Sequence, residues 1–163
     1  MKNMTENEGL AEFKQGVDLL RKGQSAKAIE CFRRASELKQ HNPFYLSFLG
    51  VATARAQGKW AAAVDLCKTA VSMKRNDAQL YLNLAEVYVS AGRRDIAVET
   101  LDAASRYCAP DRRVDRMRGN LGRRGAPVLP FLERNNFLNR GLGRFRHRLR
   151  QRVRKMIPAL ATS

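Results

Sequence analysis

Residues 78–111 read AQLYLNLAEVYVSAGRRDIAVETLDAASRYCAPD. Tyr81, Leu84, Ala85 and Tyr88 recur at steps of three and four, which places them on one face of a helix. Gly92 then supplies the permissive backbone of a tight turn. Ala97, Leu101 and Ala104 follow on one side of a second helix, and Pro110 marks the place where that helix must stop. The same punctuation runs upstream. Gly23, Gly58 and Gly92 are separated by 35 and 34 residues. So are Ala28, Ala63 and Ala97; Phe32, Cys67 and Leu101; and Ala35, Ala70 and Ala104. Four positions drifting together by one residue mark a repeated unit of helix, glycine turn and second helix. Its small alanine lets the helix pair approach closely, and the residue one turn later fills the gap to the next unit.

The second helix carries Ala28-Ile-Glu-Cys-Phe32, and in weaker form Ala63-x3-Cys67 and Ala97-x3-Leu101. The first helix carries Tyr81-x2-Leu84-Ala85-x2-Tyr88 and Leu46-x2-Leu49-Gly50-x2-Thr53, and in the first unit only Gly16 followed by Leu19. With a period of about 34 residues, these elements resemble the W-x2-L-G-x2-Y and A-x3-F signatures of tetratricopeptide repeats (TPR) over residues 9–111. The resemblance implies an all-α, right-handed solenoid of three helix-turn-helix repeats at 9–42, 43–77 and 78–111. Two departures stand out. Gly50 precedes Gly58 by 8 residues where the other repeats have 7, which leaves the facing residues of repeat two ambiguous by one position. Glu12 and Gln15 occupy positions where the pattern wants apolar residues, as terminal repeats commonly show.

After Pro110, Asp111 is a suitable N-cap, Val114, Met117 and Leu121 form a narrow apolar stripe, and Gly122 suits a helix end. Residues 112–122 are therefore expected to form a capping helix over the last repeat. The charge divides at the same place. Residues 1–111 hold 16 basic and 13 acidic residues, and residues 112–163 hold 15 and 2, so +13 of the net +16 lies in the last third. Within this basic tail, residues 127–132 (PVLPFL) form an apolar segment. Leu138, Leu142, Phe145, Leu149, Val153 and Met156 step as an amphipathic helix over about 138–157. Arg144, Arg146, Arg148, Arg150, Arg152 and Arg154 surround that stripe, although their strict alternation also suits a strand.

Little in the sequence points to catalysis. His41 and His147 are the only histidines, and neither has a nucleophile or carboxylate at meaningful spacing. No phosphate-binding loop or dinucleotide fingerprint is present, and Gly141-x-Gly143 lacks the strand-turn-helix context that would give it meaning. Cys31, Cys67 and Cys108 are odd in number and without CxxC or Cys/His pairing, which points to reduced thiols rather than a disulfide or a metal. No cofactor is expected. The N-terminus has no apolar run, and no stretch approaches the roughly 18 apolar residues of a membrane span, so a cytoplasmic location is expected.

The TPR resemblance implies protein recognition, with the first helix of each repeat lining the concave surface. Leu10, Phe13, Val17 and Leu20 draw an apolar stripe on the first helix, read either as a groove floor for a hydrophobic peptide or helix or as a packing face. Phe48, Arg55, Leu82, Glu86 and Val89 are the corresponding residues of repeats two and three. TPRs that clamp acidic chaperone C-termini use lysine and asparagine there, and Phe13 and Val17 disfavour that ligand class. The expected role is a scaffold or adaptor for another protein. Self-association, or docking of the 127–132 segment on the chain's own stripe, is a further expectation. The alternative is binding of nucleic acid or an anionic membrane surface through the arginines of the tail.

Overall fold

The computed structural model describes residues 2–122, with side chains over 7–121. The apolar segment 127–132, the amphipathic helix about 138–157 and the arginines at 144–154 lie outside the described residues. Within them the elements are α1 (Lys2–Arg21), α2 (Ser25–Leu38), α3 (Pro43–Gln57), α4 (Trp60–Met73), α5 (Ala78–Ser90), α6 (Arg94–Tyr107) and α7 (Arg112–Gly122).

Local chemistry sets the element boundaries. The helices α3 and α5 begin at side-chain caps: Asn42 accepts from the Phe44 N–H at 3.0 Å, with Pro43 in the first turn, and Asp77 accepts from the Gln79 N–H at 3.1 Å. Asp111 likewise accepts from the Arg113 N–H at 2.8 Å and starts α7. The even helices α2, α4 and α6 have no such cap and start from glycine turns instead. Gly23 and Gly92 take φ of 75° and 78°, where a side chain is disfavoured. At both turns the next residue's N–H reaches back into the preceding helix, Gln24 to Leu19 at 2.9 Å and Arg93 to Tyr88 at 2.8 Å.

The extra residue of repeat two is absorbed at the end of α3. That helix runs on to Gln57, and Gly58 caps it directly at φ 62°, its N–H donating to Ala54. Upstream the register is undisturbed. A Cβ at Gly50 would lie 2.8 Å from the Ala63 carbonyl oxygen and 2.7 Å from Cys67 Sγ, and one at Gly16 would lie 2.6 Å from the Phe32 ring. Phe32 and Cys67 are equivalent positions, so Gly16 and Gly50 are too. The one-residue ambiguity disappears when residues are counted from the small residue rather than from the turn.

Ala28, Ala63, Ala97, Phe32, Cys67, Leu101, Ala35 and Ala70 are fully buried, with Ala104 nearly so, and all but Ala35 and Ala70 belong to one continuous core. The odd helices pack side by side, α1 on α3, α3 on α5 and α5 on α7. Among the described residues no Cα of α2 comes within 8 Å of α4, nor any of α4 within 8 Å of α6. An array close-packed along one row and splayed along the other must bend, with the odd helices on the inside. Over the last pair, α7 buries Val114 and Leu121 and rests Met117 on the core. Arg94 ties it down from α6, donating from Nε to the Leu121 carbonyl at 2.8 Å and from Nη2 to the Asn120 carbonyl at 2.8 Å. A Cβ at Gly119 of α7 would meet open space, so packing does not require glycine there. No helix among the described residues is long and apolar enough to cross a membrane.

Candidate protein-binding face

The inner row places the sequence-derived residues unevenly. Leu10 is exposed (42%), Phe13 and Val17 are half-buried against the core, and Leu20 (6% exposed) is part of the core. Packing within the chain therefore takes up most of the α1 stripe. Phe13 joins an aromatic cluster, with ring centroids 5.8 Å from Phe32, 5.0 Å from Tyr45 and 5.2 Å, edge-on, from Phe48. Phe48 lies 5.8 Å from Phe32 and is half-buried, as is Leu82. Val89 is exposed (38%).

Counting from the small residues, Phe13, Ser47 and Leu82 are equivalent, and so are Lys14, Phe48 and Asn83. Phe48 is thus the partner of the Phe13 position across a repeat junction, not its counterpart. The same junction between α3 and α5 is polar. Asn83 Nδ2 donates to Ser47 Oγ at 2.9 Å, both residues being buried. Gln79 Nε2 donates to Asn83 Oδ1 at 2.8 Å, and Arg113 Nη1 to Gln79 Oε1 at 2.6 Å, which extends the chain of hydrogen bonds to α7. On the solvent side of this junction Arg55 donates from Nε to Glu86 Oε1 at 2.7 Å, and its Nη2 lies 2.6 Å from the same oxygen. Sequence reading brought Arg55 and Glu86 onto this face separately and missed Ser47, Asn83 and Gln79. Spacing from Gly50 and Ala85 was the available signal.

Models of the tetratricopeptide repeat match residues 13–80 and 54–121. The chain belongs to the tetratricopeptide-repeat family. No curated protein matches it at a significant level. Among solved structures it is similar to the first TPR of Spaghetti (RPAP3) bound to the HSP90 peptide SRMEEVD. That likeness has 16% identity and TM-score 0.60, covering 72% of this chain and 94% of that one. The second TPR domain of human RPAP3, in complex with the HSP70 peptide SGPTIEEVD, is similar at 14% identity and TM-score 0.59 over 76% of this chain and all of that one. PcrH in complex with the chaperone-binding region of PopB is similar at 19% identity and TM-score 0.57, over 72% and 94%. At such identities the likeness is one of fold.

The thiols of this TPR array belong to its packing. Cys67 is buried, donates to the Ser47 carbonyl at 3.4 Å, and burial pushes its pKa up to about 12. Burial also raises the Cys31 thiol, with the Glu12 carboxylate adding to the shift, and it raises the half-buried Cys108. All three are therefore protonated and weakly nucleophilic at neutral pH. Among the described residues no group of His, Cys, Asp and Glu could hold a metal ion.

Proposed function

We propose that this TPR protein is a non-catalytic, cytoplasmic scaffold that holds a peptide or helix of another protein against the inner row of α1, α3 and α5. The observation that carries this reading is the composition of that row. Leu10, Phe13, Val17, Phe48, Leu82 and Val89 remain exposed or half-buried along adjacent helices, with Arg55 and Glu86 among them. Partly covered apolar residues in a row suit docking of an apolar segment. The peptide complexes of the similar TPR domains support the same use of the fold.

Photo-crosslinking groups at Leu10 and Val89 of the full chain, compared with one at the exposed Glu99 of α6, test the proposal. Adducts to one protein from the first two positions and not from Glu99 are expected. Equal adducts from Glu99, or none from the inner row, would overturn it. A second reading rests on the +13 charge of residues 112–163, which suits an anionic surface. Loss of all adducts on changing Arg146, Arg148, Arg150 and Arg152 to Gln would assign binding to that segment instead.

A further inference from the structure

The chain is strongly basic, yet the arginines of its inner row face carboxylates of the chain itself. Arg55 on α3 holds Glu86 of α5 through two donors on one oxygen, at 2.7 and 2.6 Å. Arg21, five residues after Gly16 as Arg55 is five after Gly50, lies 3.7 Å from Asp18. Arg113 on α7 engages both oxygens of Asp111, at 3.1 and 2.7 Å. Of the three, the Arg55–Glu86 pair is the one that bridges two inner helices, between the apolar residues of α3 and α5. Both of its members keep substantial contact with solvent, Arg55 at 42% and Glu86 at 33% of the side chain.

Arg55 is the arginine of this row set between the apolar residues of α3 and α5, so an acidic ligand seated there would call on its fork. To reach it, the ligand would displace Glu86, and the displaced carboxylate would then stand beside the ligand's own, a like-charge contact that disfavours the complex. An apolar segment makes no such demand and leaves the pair in place. We propose that Glu86 is a specificity-determining residue of this face: by occupying Arg55 it turns away acidic peptides and reserves the inner row for an apolar, carboxylate-free segment of another protein. The proposal rests on the inner row being the binding face, as argued above. It sets this chain apart from the similar TPR domain bound to SRMEEVD, a peptide with three acidic side chains.

The test uses that peptide as probe, together with SRMQQVN carrying a C-terminal amide, which has no carboxylate. Each is titrated into the full chain while the methyl signals of Leu10 and Val89 are followed, so that contacts made elsewhere by the basic tail do not enter the readout. The wild type is expected to show no saturable shift with SRMEEVD. Glu86→Gln is expected to bind SRMEEVD at least about tenfold more tightly than wild type, the lower end for one charge-assisted hydrogen bond at a half-exposed site. Its response to SRMQQVN should not change. Glu86→Gln combined with Arg55→Gln should return to the wild-type level. So should the swapped pair Arg55→Glu with Glu86→Arg, which keeps the fork occupied and controls for folding. Equal binding of SRMEEVD by wild type and Glu86→Gln overturns the proposal, as does a gain that survives loss of Arg55. Crosslinking at Leu10 and Val89 reports on the natural partner and this titration on the gate, so either can fail while the other stands.

Discussion

Between α1 and α3, the residue three positions before the small residue is Phe13, and it meets Phe48 edge-on at 5.2 Å. Between α3 and α5 the same position is Ser47, and it accepts a hydrogen bond from Asn83 at 2.9 Å. Phe48 and Asn83 are themselves equivalent, so one contact of the repeat is written in two chemistries. The aromatic junction buries a large area, and its attraction has little directional demand. The polar junction adds little net stability, because its hydrogen bonds replace bonds to water. It fixes register, since a slip would leave buried donors and acceptors unpaired. Stability of the array is therefore expected to concentrate at the first junction and positional specificity at the second.

The largest expected effect is at the aromatic junction. Phe32 is fully buried and touches both Phe13 and Phe48, so Phe32→Ala should destabilise the chain by about 3–5 kcal/mol in urea unfolding. A loss below about 1 kcal/mol would show that the cluster collapses around the gap and is not the centre of stability. The polar junction should respond differently to single and paired changes. Asn83→Ala strands Ser47 and Gln79 and should cost about 1–3 kcal/mol, whereas Asn83→Leu with Ser47→Ala should recover most of it by leaving no orphaned group. A double variant as unstable as the single one would mean that the network contributes attraction and not only register.

The smallest effect lies where the polar chain reaches α7. Hydrogen bonds from Arg113 hold the Asp111 carboxyl below the ordinary carboxylate range. A carboxyl with a lowered folded pKa stabilises above its unfolded value of about 3.9, and that contribution is lost as pH falls through the folded value. Docking of α7, followed by amide exchange at Val114, should therefore weaken only below about pH 4, by less than about 1 kcal/mol because the Arg113 side chain is more than half exposed to water. Asp111→Ala should remove this acid dependence, and an unchanged acid limb in that variant would assign it to another carboxylate.

Much of this is legible in the sequence. The glycines at 23, 58 and 92 and the alanines at 28, 63 and 97 define the repeat because a tight turn and a close helix approach tolerate few alternatives. The α7 stripe of Val114, Met117 and Leu121 was readable from its spacing for the same kind of reason, a helical period with one apolar side. The inner row was harder. Leu10, Phe13, Val17 and Leu20 make an unbroken stripe on a helical projection, and a projection does not distinguish a face turned to a ligand from one turned to a neighbouring helix. The structure turns Phe13 toward Tyr45 and Phe48, buries Leu20 and leaves Leu10 to solvent.

What the sequence determined by itself was the repeat, its period, its turns and caps, and the division between a balanced body and a basic tail. These depend on local backbone conformation and composition, which a residue carries wherever the chain goes. Which residues meet across the repeat junctions was decided by the tertiary structure alone. Arg55 and Glu86 are 31 residues apart, and Ser47 and Asn83 are 36 apart. Both pairs form because α3 and α5 lie side by side, a placement that follows from the packing of one repeat on the next and that no local pattern records.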